Sequence, residues 1–343
     1  MDYYLALIVL VVVIIIYLCL MQLEYMCDVN FHKVLHPKYY KGNTFDMEKN
    51  NMKKSTYLNI MSLVNKGKIL AKKRKIVICG LGRNIETNIS NIRQKTEFIG
   101  EQFEDYKIVC FENDSEDDSR NLLKKWVKEN NKVHLLKCEP DPDCKLKKKK
   151  GYELGSLSKN RIDNMIYYRE QYMTYVKNNL SDYDYMMVID FDLDGNQCMD
   201  GLFHTIALED KWDAVFINGK ISLFGTFGIL TAAYDALAFV SINDKVSRKS
   251  STYTITKKFI EQNINTNGYK LIPVKSAFNG YGLYKIKSII NCSYNGNEAC
   301  EHINLANCMI NNGCKLYINP LWTGYFDYHG TGPGGPLEFI KSL

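Results

Sequence analysis

Between residues 75 and 189 short apolar runs alternate with stretches of helical period, and this alternation narrows the possible folds more than any other feature. Lys75-Ile76-Val77-Ile78-Cys79 runs into Gly80-Leu81-Gly82, and Ile85, Ile89, Ile92, Ile99 and Phe103 then recur at helical spacing. That reads as strand, glycine turn, helix. Tyr106 to Phe111 reads as a second strand; Ser115 with Asp118 predicts a capping box, and Leu122, Leu123, Trp126 and Val127 give its helix an apolar face. Val133 to Leu136 is a third strand, Lys159 to Asn179 a long helix, and Tyr185 to Ile189 a fourth strand. Strands apolar on both faces, separated by helices, predict an α/β domain whose central sheet is mainly parallel and covered on both sides. Beyond residue 200 the alternation loosens, with shorter strands near 214–217, 270–274, 282–284 and 315–318 and helices near 228–240 and 302–311.

Tyr3 to Leu23 is a run of 21 residues without a charge, long enough to cross a bilayer as a helix. No basic n-region precedes it, so it reads as an uncleaved anchor, residues 1–23, rather than a signal peptide. Residues 24–72 are polar and weakly periodic and read as a stem; 73–200 and 201–330 are the two halves of the body, and 331–343 is a Gly/Pro-rich tail. Lys33, Lys38 and Lys41 follow the span, which by the positive-inside rule favours a cytosolic body, while a luminal, secretory-type placement stays open. Cysteines leave the side open too. Cys79 and Cys110 fall in buried strands, and only Cys138 with Cys144, or a pair among Cys292, Cys300, Cys308 and Cys314, is available for a disulfide. Sequons stand at Asn88, Asn113, Asn179 and Asn291. With 44 Lys and Arg against 38 Asp and Glu the net charge is +6, too mild and too diffuse for a nucleic-acid partner.

In a parallel sheet ligands bind beyond the carboxyl ends of the strands. There this chain is unusually polar: strand one ends in Gly80, Gly82, Arg83 and Asn84, strand two in Glu112, Asn113 and Asp114, strand four in Asp190, Asp192 and Asp194. Three carboxylates at alternate positions of an extended segment concentrate negative charge unless a cation or protons intervene. Their oxygens suit Mg2+ or Mn2+, ions that commonly share their coordination with phosphate.

An apolar strand running into Asp-x-Asp, after a strand-Gly-Arg-Asn turn, resembles GT-A glycosyltransferases. Glu112-Asn113-Asp114-Ser115, Tyr234-Asp235-Ala236-Leu237-Ala238, Ser276 to Lys285, and Cys300-Glu301-His302 followed by Ile318-Asn319-Pro320 narrow the likeness to membrane-anchored enzymes related to fungal capsule α-mannosyltransferases. Asn279 stands where that pattern has a second glycine, and Asp194 is an added carboxylate. The resemblance implies a GT-A type, single Rossmann-like domain carrying a nucleoside-diphosphate sugar as donor and a glycan or glycoprotein hydroxyl as acceptor. It implies that Arg83 and Asn84 contact the nucleotide, that Asp114 with Glu112 or Asn113 holds its base or ribose, and that Asp190 and Asp192, with Asp194 helping, bind Mn2+ or Mg2+ against the diphosphate. Asp192 would thereby assist catalysis.

Glu301 precedes a helix whose dipole keeps a carboxylate ionised, which suits a general base for the acceptor hydroxyl or a plain helix cap. His302 or His329 can complete a metal's ligands. Arg169 lies on the apolar face of its helix, and a buried guanidinium needs an anionic partner, Asp190 or a donor phosphate. Two other readings compete. Asp192-Leu193-Asp194-Gly195 imitates the nucleophile loop of haloacid-dehalogenase-like phosphatases, and the same fold can serve a non-catalytic carbohydrate-binding protein.

Overall fold

The structure, a computed structural model, describes residues 44–45, 47, 52–137, 159–222, 231–243, 253–298 and 300–327. The apolar run 3–23, the Cys138 and Cys144 pair, His329 and the tail lie outside them. Among the described residues no helix is long and apolar enough to cross a membrane.

The strands are β1 (Thr44–Phe45), β2 (Lys75–Gly82), β3 (Asp105–Glu112), β4 (Val133–Lys137), β5 (Tyr185–Ile189), β6 (Asp194–Cys198), β7 (Ala214–Ser222), β8 (Thr231–Ala233), β9 (Val240–Ser241), β10 (Ile272–Ser276), β11 (Tyr281–Lys285) and β12 (Leu316–Asp327). The helices are α1 (Lys54–Ala71), α2 (Ile89–Gly100), α3 (Ser119–Glu129), α4 (Lys159–Asn179), α5 (Met199–Ala207), α6 (Tyr253–Asn267), α7 (Ile286–Ile289) and α8 (Glu301–Asn311).

The sheet runs in the order β1-β6-β12-β7-β11-β5-β2-β3-β4. From β5 through β2 and β3 to β4 the pairing is parallel, as the alternation predicts. Past β5 it is mixed, which corrects the mainly parallel sheet expected. β11 is antiparallel to both β5 and β7, and β12 is parallel to β7 but antiparallel to β6. The parallel part is built from successive strand–helix units, whereas β11 and β12 insert beside strands far from them in sequence, where no direct strand–helix–strand crossover sets their direction.

Alternate strand residues feed two cores. Ile76, Ile78, Ile108 and Met187 meet α1, α2, α3 and α5, while Val77, Cys79, Val109 and Met186 meet α4 and α8. Within the segment expected as a stem, α1 turns Ile60, Val64, Gly67 and Ala71 inward at helical spacing. It lies so close to α5 that a Cβ on Gly67 would stand 1.8 Å from the Phe203 carbonyl oxygen. The last third of that segment is therefore part of the body.

Two local expectations fail for identifiable reasons. The helix after β3 begins at Ser119, with Asp118 at its N-cap, because Ser115 is used elsewhere: its Oγ accepts a bond from the Asn84 amide at 3.1 Å. Instead of a helix over 228–240, the described part of that stretch holds β8, a 3-10 turn (Ala236–Ala238) and β9. Asp235 adopts φ 52°, a left-handed value that no helix continues through.

Candidate functional site

β5 delivers the acidic loop. Its last residue Ile189 pairs with Tyr281, and the Asp190 amide then donates to the Gly280 carbonyl at 3.1 Å, so the chain leaves the sheet beside the Asn279-Gly280 turn. Asn279 sits there at φ 56° with its Nδ2 bonded to the Ile217 carbonyl at 2.8 Å. The position needs a left-handed backbone, which explains the expected glycine and why asparagine replaces it.

At this sheet edge lies a cavity of about 320 Å³. It brings together Arg83, Asn113, Arg169, Asp190, Asp192 and Glu301 of the residues singled out by sequence, with His302 beside them. Asn84, Glu112 and Asp114 are not among the lining residues. Glu112 is fully buried, accepting bonds from Arg120 Nε at 2.7 Å and the Ser115 amide at 3.0 Å, and Asn84 Oδ1 accepts from the Glu116 amide at 2.8 Å. These residues brace the loop from which Asn113 enters the cavity. Asp114, at φ 46°, turns that loop. Asp194 opens β6 in register with Asp327, past the end of the loop.

Arg169 organises the floor. Only 3% exposed, it donates from Nε to Glu301 Oε1 at 2.8 Å, from Nη2 to Asp190 Oδ1 at 3.3 Å and from Nη1 to the Tyr172 hydroxyl at 3.2 Å. Burial opposes charge on Glu301, yet Arg169 overcomes it and holds this carboxyl down to about 2. Glu301, expected just before the helix, is the first residue of α8 and is the counter-ion of Arg169. Asp190 goes the other way. Burial pushes it up to about 7, and the neighbouring Asp192 charge adds to the shift, although Arg169 and the Tyr234 hydroxyl, 3.1 Å from Oδ2, favour the carboxylate.

His302 stacks on Phe278, ring centroids 3.8 Å apart, with Nε2 3.6 Å from Glu301 Oε1. Burial, then Arg169, holds it well below the usual imidazole range, so it is neutral and turned toward the ion pair rather than the acidic loop. Arg83 Nε and Asn113 Nδ2 are buried without a hydrogen-bond partner among the described residues, as ligand-facing groups often are.

Four contributors carry no assigned role in the sequence reading, although Tyr234 and Asp235 lie in one of its motifs. Tyr234 bonds Asp190. Asp235 lines the cavity, and burial followed by the Asp190 and Glu301 charges raises its carboxyl well above the usual range. Arg161 lines the cavity from the first turn of α4. Lys95 is fully buried on α2 and donates from Nζ to the carbonyls of Leu193 at 3.1 Å and Gly195 at 3.4 Å, clamping the acidic loop from behind. It sits in phase with Ile92 and Ile99, the same charge-on-an-apolar-face signal that marked Arg169.

The lining sets Arg83, Arg161 and Arg169 against Asp190, Asp192, Asp235 and Glu301. Among the described residues no group of three or more His, Cys, Asp or Glu side chains is close enough to hold a metal ion. Two carboxylates in a cavity that also carries three guanidinium groups fit an Mg2+ or Mn2+ that arrives with a diphosphate, and do not fit an ion held by protein alone.

No family model matches the chain, and no curated protein matches it. Among solved structures it is similar to S. aureus TarS 1-349 in complex with UDP-GlcNAc, at 12% identity over 75% of this chain and 59% of that one, TM-score 0.39. It is similar to GalNAc-T7 with UDP, GalNAc and Mn2+, at 9% identity over 87% of this chain and 59% of that one, TM-score 0.46. It is also similar to the mannosyltransferase PcManGT from Pyrobaculum calidifontis in complex with GDP-Man and Mn2+, at 10% identity over 79% and 67%, TM-score 0.40. The chain spans about 60% of the length of the TarS and GalNAc-T7 structures. Likeness at these levels is one of arrangement, and the functional reading rests on the cavity.

Proposed function

We propose that the chain is a glycosyltransferase that moves a hexose from a nucleoside-diphosphate sugar to a hydroxyl of a glycan or glycoprotein, with Mg2+ or Mn2+ carried in on the donor. The observation that supports it is the pairing, in one cavity at the carboxyl ends of β2, β3 and β5, of Asp190 and Asp192 with the guanidinium of Arg83 and the orphaned amide of Asn113. Carboxylates alone would repel a diphosphate and arginines alone would not need them; the combination suits a phosphate group that brings its own cation. When bound, that cation stabilises the charge developing on the leaving diphosphate.

The chain's own residues then divide the work. Arg83 and Arg161 face the phosphates, and Asn113 offers a donor to the nucleoside. Tyr234 and Arg169 orient Asp190. Glu301 neutralises Arg169, which leaves Asp235, in the cavity lining, as the group to accept the proton of the acceptor hydroxyl. Its raised affinity for a proton suits that task. Residues 3–23 tether the body to a membrane in this reading, and residues 201–330 supply the acceptor side.

The cavity has no feature that favours the phosphatase alternative: among the described residues no lysine lines it, and Asp192-Leu193-Asp194-Gly195 leads into a strand paired with β12. The test is a panel of nucleotide sugars with Mn2+, scored for hydrolysis and transfer by the chain from residue 52 onward. Turnover of one nucleoside-diphosphate hexose, absent without metal, is expected. Release of phosphate from an aryl phosphate, with no sugar turnover, would replace this reading by the phosphatase.

A further inference from the structure

Cys292 and Cys308 are joined by a disulfide that closes a 16-residue separation between the irregular segment after α7 and the middle of α8. The clasp has a structural use. The segment carries Tyr294, whose hydroxyl bonds the Tyr172 hydroxyl at 3.1 Å and whose ring lies edge-on to His302, 5.8 Å between centroids. Tyr172 in turn bonds Arg169. Crosslinking the segment to α8 therefore fixes the wall behind the Arg169 and Glu301 pair. Such bonds persist in oxidising compartments and are rare in a reducing cytosol.

The four sequons, uninformative as sequence, separate once burial is known. Asn113 is 4% exposed and lines the cavity, and Asn88 is half-buried with its Nδ2 donating to the Phe191 carbonyl at 3.2 Å. Asn179 and Asn291 are exposed. Asn179 is the last residue of α4, its amide bonded only one turn back to the Tyr175 carbonyl at 2.9 Å, and Asn291 immediately precedes the crosslinked Cys292. Both lie near the C-terminal end of α4, because Lys177 Nζ donates to the Cys292 carbonyl. Arg161, in the cavity, stands at the opposite end of α4, roughly 27 Å away at 1.5 Å per residue. Bulky groups at that end of α4 leave the cavity open.

We propose that the body matures on the oxidising, glycosylating side of its membrane, with Cys292 and Cys308 crosslinked and N-linked glycans on Asn179 and Asn291, while Asn88 and Asn113 stay bare. This inverts the side favoured by Lys33, Lys38 and Lys41, and it stands on the disulfide and the sequons, independently of the glycosyltransferase reading. In the first step the two thiols lose two protons and two electrons, which reduce the disulfide of an oxidoreductase to its dithiol. In the second, each Asn Nδ2 forms a bond to the anomeric carbon of a polyprenyl-diphosphate-linked oligosaccharide; the carbon–oxygen bond to the diphosphate breaks, and the amide proton passes to a base of the transferring enzyme.

The experiment expresses the full chain in a eukaryotic cell, traps thiols with N-ethylmaleimide at lysis and maps unreduced peptides by mass spectrometry, with peptide N-glycosidase in H2 18O marking former glycan sites. A linked Cys292 and Cys308 peptide, 18O-aspartate at 179 and 291 alone, and loss of both mobility steps in the Asn179→Gln, Asn291→Gln double variant are expected. Maleimide on both Cys292 and Cys308 with no mobility shift would overturn the proposal. A linked peptide without any glycan would overturn the glycan assignment, and a glycan on Asn113 would contradict its place in the cavity.

Discussion

Arg169 Nε donates to Glu301 Oε1 at 2.8 Å across 132 positions of sequence, with both side chains out of water. The pair joins α4 to α8 beneath the cavity. Glu301 is held down to about 2 against an ordinary 4.5, so the stabilisation it provides is fully present above about pH 4.5 and is lost as pH falls through 2. A shift of that size corresponds to about 3 kcal/mol. Urea unfolding of wild type and Glu301→Gln at pH 7, 4 and 3 should show wild type losing part of that advantage as pH falls, and parallel curves would detach Glu301 from Arg169.

Asp235 is the proposed proton acceptor. Asp235→Asn should lower transfer about 10²-fold or more, the usual contribution of a positioned base, while leaving nucleotide affinity nearly unchanged. Calorimetry beside turnover separates the two. A variant that transfers sugar at the wild-type rate removes Asp235 from the chemistry.

Lys95 carries a second expectation. Lys95→Met leaves the Leu193 and Gly195 carbonyls without this donor, a loss of about 2 kcal/mol or more. Amide exchange should accelerate across residues 190–195 and stay unchanged in β2 and β3. Lys95→Arg should recover part of the protection, since it keeps a charged donor. Uniform acceleration over the whole sheet would make Lys95 a general core residue with no special tie to the loop.

The boundary of the body can be tested by truncation. Removing residues 1–52 should leave a cooperatively folding protein, whereas removal through residue 65 takes Ile60 and Val64 out of the core. Gly67→Ala forces α1 away from the Phe203 carbonyl and should cost about 1–3 kcal/mol, read as a lowered urea midpoint. Equal stability of the two truncations would return α1 to the stem.

Much of this arrangement was legible from sequence wherever a single element determines its own state. α4 ends where its apolar period ends, and the first four core strands follow from runs apolar on both faces. β6 was not legible: Asp194-Gly195-Asn196-Gln197-Cys198 has no strand propensity and is extended because β12 and β1 flank it. α5 was missed because Gly201 reads as a breaker, yet the glycine is what lets the helix rest on the Leu321 carbonyl and Trp322. The site divides similarly. Asp190 and Asp192 were visible as a local cluster, but the commitment of Glu301 to Arg169 and the entry of Asp235 into the cavity depend on side chains brought from distant elements, for which one sequence has no periodic signal.

The most direct measurement of the central claim is calorimetric titration of Mn2+ and nucleoside diphosphate into wild type, Asp190→Asn and Asp192→Ala, with turnover alongside. Wild type should bind the nucleotide tightly only with metal; both variants should lose that metal dependence, and Asp192→Ala should lose about 10²-fold or more in rate, the scale of a missing preorganised charge. Metal-dependent binding that survives intact in both variants would contradict the account and leave the two carboxylates as an acidic turn.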